Sequence, residues 1–293
     1  MQWYTQLQQE HAQAYNKNHA GFYSHPASQF MEPFKIADDL YYVGDKLVCI
    51  HLIRTDEGLI LLDSGYPCAK HLLWASIIKL GFDPADVKWI ILTHAHSDHF
   101  GASNEFRTLY GTKVALSAVD AESMREKPFR AVGSSNATLA MPVIDHELQD
   151  GEIFSFGGKH IRCVLTPGHT LGTMSFFFDV TYEGKTYLAG TFGGAGVSAM
   201  RLHSMLHYEL PLDMPQRMLS SLDKIKDEPV EIHLGNHPYN NNTLKRREKQ
   251  LLEGGNPFIK ATSWGNFIAN QRQKTQKIID ENAISAKEHG IEL

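Results

Sequence analysis

Cysteine is scarce in this chain: Cys49, Cys68 and Cys163 are its only thiols in 293 residues. They are too few and too far apart for a disulfide framework or a CxxC redox or zinc motif, so they read as buried or half-buried side chains. Proline is limited to 12 positions and no long polar tract occurs, which excludes collagen-like and disordered scaffolds. No apolar run approaches the roughly 18 residues that a membrane-spanning helix needs, so no membrane association is expected. Basic charge is short as well. The 28 Lys plus Arg against 33 Asp plus Glu leave a net charge of -5, the wrong sign for binding phosphate backbones, and nucleic acid is set aside as a partner. The first twenty residues have neither a basic start nor an apolar stretch, so no signal peptide is read there. A cytoplasmic protein is expected, or a periplasmic or secreted one if a leader has been removed.

What remains is a globular chain, 42% hydrophobic, long enough for one large α/β domain built from two halves. Trp3, Leu7, His11, Ala14 and Tyr15 fall at helical spacing, and residues 1–33 read as an N-terminal arm, helical to about residue 19 and irregular up to Pro33. A single domain is expected over 34–293. It opens with short apolar runs (LYYV, LVCIHLI, LILLD) divided by turn signals at Gly44-Asp45, Asp56 and Gly58, the pattern of a meander. The segment AKHLLWASIIKLGF then reads as a helix stopped by Gly81, and VKWIILT as a strand buried on both faces that runs into THAHSDH. A helix at 102–109, the strand KVALS and a helix at 118–126 complete the first half. After a loop at 131–142, the strands EIFSF, HIRCVLT, TMSFFFDV and KTYLA begin the second. A long loop at 190–212, a helix at 215–226, the strand VEIHL, the loop GNHPYNNN and two helices, the last at 261–283, finish it.

Histidine is abundant, with 16 in the chain, and its clustering carries chemistry. In HAHSDH, His94 and His96 are two residues apart, so on an extended strand end their rings share a side. Asp98 follows the same alternation, and His99 turns to the other side if a helix begins there. Four ligating groups in six residues at the end of a buried strand are hard to satisfy without a cation. Imidazole and carboxylate without thiolate form the ligand set of a catalytic zinc site, or of Fe or Mn.

THAHSDH after an apolar strand, LDSG upstream, PGHT downstream and a late His in a loop resemble the metallo-β-lactamase superfamily from about Phe34 onward. The resemblance implies an αβ/βα four-layer sandwich with a dinuclear metal site at the sheet edges. It makes His169 the third ligand beside His94 and His96, and gives Asp63 the task of orienting the ligand loop. Glyoxalase-like, lactonase-like and nuclease-like members place a bridging Asp after a Gly at the strand that here reads TYLAGT. This chain has Gly190-Thr191 there, and no Cys either. In this it is similar to the third subclass of class B β-lactamases, whose pattern implies two zinc ions, one on His94, His96 and His169, the other on Asp98, His99 and His237. Thr191 takes the hydroxyl position next to the site. His233, four residues before His237, is the rival ligand, although its place in VEIHL suits packing. The serines that help those lactamases hold a substrate carboxylate are Thr191 and Gly193 here.

The expected chemistry is hydrolysis of a small-molecule amide or ester, foremost opening of a β-lactam ring, by attack of a metal-bound hydroxide. Asp98 is the proton relay and Tyr208 a candidate donor to the developing oxyanion. Ser64 and Ser97 read as loop-capping residues rather than nucleophiles. Met200, Leu202, Met205 and Leu206, with Trp3 and Phe22, read equally as an apolar wall of the substrate cleft or as ordinary core packing. Another zinc-dependent hydrolase, of an amide, ester or lactone, is the second reading, and a metal-binding protein without turnover the third.

Overall fold

A computed structural model describes residues 2–131 and 140–293. Most of the 131–142 loop read from the sequence therefore lies outside the described residues. The first half runs from helix α1 (Trp3–Ser24) through strands β1 (Phe34–Ala37), β2 (Leu40–Tyr42), β3 (His51–Thr55) and β4 (Gly58–Leu62) to helix α2 (Lys70–Lys79). Strand β5 (Val87–Ile91), helices α3 (Ser97–Phe100) and α4 (Ser103–Tyr110), strand β6 (Lys113–Ser117), helix α5 (Ala118–Glu126) and strand β7 (His146–Leu148) follow. The second half comprises strands β8 (Ile153–Phe156), β9 (Lys159–Leu165), β10 (Met174–Tyr182) and β11 (Lys185–Thr191) and helices α6 (Leu202–His207) and α7 (Met214–Ile225). Strand β12 (Ile232–Leu234) and helices α8 (Pro238–Asn241), α9 (Thr243–Glu253) and α10 (Thr262–His289) close the chain.

The strands form two sheets, ordered β1-β2-β3-β4-β5-β6-β7 and β12-β11-β10-β9-β8. Alternation along β10 shows how they stack. Phe176, Phe178 and Val180 join Ile53, Ile60 and Ile91 of the first sheet in one buried cluster, so these faces meet. Phe177 points the other way, into a cluster with Met218 and Leu222 of α7 and Trp264 and Phe267 of α10. On the outer face of the first sheet, Leu61, Ile90 and Val114 pack against Leu73 and Ile77 of α2 and Phe106 of α4. Helix, sheet, sheet, helix is the αβ/βα four-layer sandwich.

Besides strand β7 and the short helix α8 inside the segment read as a loop, neither of which the sequence showed, three elements differ from the sequence reading. Helix α1 continues past residue 19 to Ser24 because Phe22, in its last turn, is buried with Val48, Tyr66, Ala69 and Leu72. Helix α10 runs on to His289, where Gly290 at φ 63° supplies the left-handed C-cap. The long loop at 190–212 contains a short helix, α6, against which α1 lies: Gln8 Oε1 accepts from Ser204 Oγ at 3.1 Å, and His11 Nδ1 lies 3.0 Å from His203 Nε2. No helix among the described residues is long and apolar enough to cross a membrane.

Candidate metal centre

The strands deliver the motif residues to one edge. Asp63 follows β4, the 94–99 loop follows β5, His169 lies between β9 and β10, Thr191 ends β11 and His237 follows β12. Helix α3 begins at Ser97 and puts His99 in a second ligand group, although its ring stays 4.1 Å from that of His94. Two groups result: His94, His96 and His169, and Asp98, His99 and His237, with the ligand atoms of each group within 4.8 Å of one another.

The rings are held by one nitrogen and present the other. Nδ1 of His94 donates to the Gly193 carbonyl at 2.8 Å, Nδ1 of His169 to Gly196 at 2.7 Å, and Nδ1 of His237 to Leu47 at 2.7 Å. Nδ1 of His99 donates to Asp63 Oδ2 at 2.8 Å. In the rings of His94, His169 and His237, which burial keeps neutral, donation through Nδ1 leaves Nε2 as a lone pair, the form a metal takes. In the first group the His169 lone pair faces Nδ1 of His96 at 3.0 Å. Nε2 of His94 is buried with no hydrogen-bond partner, and Nε2 of His99 has only Asp98 Oδ2 near it, at 3.4 Å. A buried orphan nitrogen is costly, and a cation between the rings removes that cost, so the donor set fits zinc.

The electrostatics suit the same ligand state. Burial, reinforced by the neighbouring rings, drives His94 and His169 well below the ordinary histidine range. Burial also lowers His237, and takes His96 down to about 4 against the opposing pull of Asp98. Burial alone would raise Asp98, but His99, His237 and His96 hold its carboxyl well below the usual range. His99 is the exception: although burial lowers it, Asp98 and Asp63 raise it to about 10. The charge His99 carries between two carboxylates is the one a cation would replace.

Asp63 holds its place through strain. Its backbone is left-handed at φ 63°, rare for a residue with a side chain, and this turns the carboxylate onto Thr93 as well as His99. Ser64 Oγ lies 3.2 Å from the His99 carbonyl and 3.0 Å from Ser103 Oγ, which makes it a brace of the same turn. Thr191 is buried in the ladder, paired with Phe176 and Leu234, and it is the Gly193 carbonyl two residues on that meets His94. His233 belongs to neither group: its Nδ1 lies 3.2 Å from Ser263 Oγ, and Trp264 and Phe267 pack on its ring.

Two features were missed in the sequence. Asp120, on α5, accepts from Ala95 N at 2.9 Å, Thr170 Oγ1 at 2.8 Å and Gly172 N at 2.7 Å, so one carboxylate ties the His94–His96 loop to the His169 loop. Gly194 and Gly196 cradle His169, for a Cβ at either would stand 2.6 or 2.8 Å from the ring. The glycine run FGGAG was the available signal for these two; the segment AVDAES gave none for Asp120.

The centre opens into a cavity of about 600 Å³ lined by parts of α1, α5 and the loops around α6, with Tyr208 on its wall. Packing, not a cleft wall, is what is found: Met200 and Met205 point into the core under α7 and α10, Phe22 anchors α1 and Trp3 stacks on His289, while Met124, Leu171 and Leu210 supply apolar lining.

A family model described as the metallo-beta-lactamase superfamily matches residues 44–197, over half of the chain. The chain belongs to that superfamily of hydrolases. Its fold resembles BJP-1, a subclass B3 metallo-beta-lactamase of Bradyrhizobium japonicum, with a TM-score of 0.77 and 25% identity over 87% of this chain and 96% of that one. The native FEZ-1 metallo-beta-lactamase from Legionella gormanii gives 0.79 and 26% over 87% and 98%. By sequence, the chain is 26% identical to a hydroxyacylglutathione hydrolase of Bartonella henselae, over 67% of this chain and 77% of that protein. Others with that name, from Acidiphilium cryptum and Cereibacter sphaeroides, match over only 30% and 34% of their length.

Proposed function

We propose that the protein is a di-zinc hydrolase that opens β-lactam rings. His94, His96 and His169 would hold one zinc, and Asp98, His99 and His237 the other. Zinc bound there would bring the pKa of a water toward about 7 and polarise the substrate carbonyl. Asp98, kept ionised by the rings around it, would be the group that accepts and passes on a proton at this centre. Tyr208, whose hydroxyl accepts from Gln8 Nε2 at 3.2 Å, keeps its own O–H to donate to the oxygen on which charge develops.

The observation that carries this reading is that Asp98 is the only carboxylate in the two ligand groups among the described residues, with Thr191 at the place where the sequence resemblance puts the bridging Asp of glyoxalase-like members. The fold likeness to subclass B3 enzymes supports it. A second reading, hydrolysis of another amide, ester or lactone, is favoured by Gly193, whose carbonyl holds His94 and Asn236 where the lactamases have a substrate-binding serine. Hydrolysis of a chromogenic cephalosporin and a carbapenem by the zinc-loaded protein, with a chelated control, decides between them. Chelator-sensitive turnover at about 1 s⁻¹ or faster supports the β-lactamase reading. Two bound zincs with no turnover would overturn it and move the search to esters, lactones and other amides.

A further inference from the structure

Among the described residues that line the cavity, Arg130 is the only Lys or Arg. Its guanidinium is half-buried, and none of its hydrogen bonds to the described residues reaches a carboxylate. Nε donates to the Tyr208 carbonyl at 2.9 Å and Nη2 to the Glu209 carbonyl, so one edge of the fork grips two successive backbone oxygens. Nη1 lies 3.4 Å from Ser123 Oγ. The carboxylate of Glu209 is taken instead by Lys127. Of the five N–H donors of an arginine, these contacts take three, and two are left without a partner among the described residues on a side chain that lines the cavity. The next residue, Ala131, accepts from Ser97 N at 3.0 Å, and Ser97 stands between His96 and Asp98. The backbone that carries Arg130 is therefore hydrogen-bonded to the ligand loop.

A guanidinium fixed on two carbonyls and partly withdrawn from water is organised in advance for a planar anion, and carboxylate is the planar anion that an arginine's remaining donors suit. We infer that Arg130 binds a carboxylate borne by the substrate, and so selects carboxylate-bearing amides or esters. This rests on the hydrolase reading above, and it supplies the anion contact that Thr191 and Gly193 do not offer as serines.

The test is a cycle between residue and substrate. A chromogenic cephalosporin and its methyl ester are compared with the zinc-loaded wild type, Arg130→Gln and Arg130→Lys. The acid is expected to exceed the ester in kcat/KM by about tenfold or more in the wild type, and Arg130→Gln to lower the acid about tenfold more than the ester, with partial retention in Arg130→Lys. A brace for the 208–209 corner would lower both substrates together and leave the ratio unchanged, which would overturn the inference. Calorimetric binding of phenylacetyl-proline and its methylamide to the zinc-loaded proteins gives a readout free of turnover. A carboxylate preference lost in Arg130→Gln supports the inference even if no β-lactam is hydrolysed, whereas a preference kept in that variant assigns the anion to another group.

Discussion

Asp120 and Thr170 are fifty positions apart in the chain, yet Thr170 Oγ1 donates to Asp120 Oδ2 at 2.8 Å, and the same oxygen accepts from Ala95 N. Thr170 adjoins His169, and Ala95 separates His94 from His96. One buried carboxylate atom thereby fixes the distance between the loops that carry the first ligand group. The other, Oδ1, accepts from Gly172 N at 2.7 Å, so every contact of the carboxylate is one in which it must accept.

Asp120→Asn would place an NH₂ against an N–H or an O–H donor at this junction. Zinc affinity at the first group is expected to weaken about 10–100-fold. Stability is expected to fall by about 2 kcal/mol, since a buried donor loses its acceptor. Competition with a chromophoric chelator reads the first and denaturant unfolding the second. Unchanged affinity would make Asp120 a tie between the two loops with no bearing on the metal.

His237 contributes to the second group alone, its Nε2 lying 3.6 Å from Asp98 Oδ2. His237→Ala is therefore expected to lower bound zinc from two equivalents toward one while leaving the first group filled. Metal analysis after gel filtration measures this. Two tightly held zincs in the variant would mean that another side chain closes the second site, and His233, packed against Trp264 and Phe267, would have to leave that packing to do so.

Much of this centre was legible in the sequence because local geometry suffices for part of it. His94 and His96 two apart on a strand end, and His99 beyond the start of α3, follow from the strand and helix periods. His169 and His237 do not, since nothing local brings residues so distant in the chain to one edge; they came from the resemblance. Asp120 was invisible because a helical aspartate looks like a solvated one. Cleft wall and core packing stayed equally open for Met205 for a related reason: which way it faces depends on the register of a six-residue helix, and α6 is too short for its pattern to show.

Tyr208 tests whether a cavity residue touches the chemistry. Tyr208→Phe deletes the O–H and leaves the ring. A loss of about 10²-fold in kcat with zinc content unchanged is the expected result if the hydroxyl stabilises the oxyanion. A change confined to KM would instead assign the hydroxyl to holding α1 through Gln8.

Acid sensitivity is built in away from the metal centre. Burial lowers His51 to about 3, and burial with the nearby Arg246 lowers His233 to about 3. Both rings carry an Nε2 with no hydrogen-bond partner, so both are folded as neutral imidazole. In the unfolded chain these groups return to about 6.5, so between about pH 6.5 and 3 the unfolded state binds more protons than the folded one. Stability is then present in full above about 6.5 and is lost as the pH falls, by up to about 1.4 kcal/mol per pH unit for each ring. Loss of zinc in acid steepens the fall in any variant, so the informative quantity is a difference. His51→Phe, placed where the ring already packs edge-on to Tyr42, is expected to make the slope of unfolding free energy between about pH 6 and 4.5 shallower by about 1 kcal/mol per unit. An unchanged slope would show that His51 reaches solvent and titrates in the folded protein.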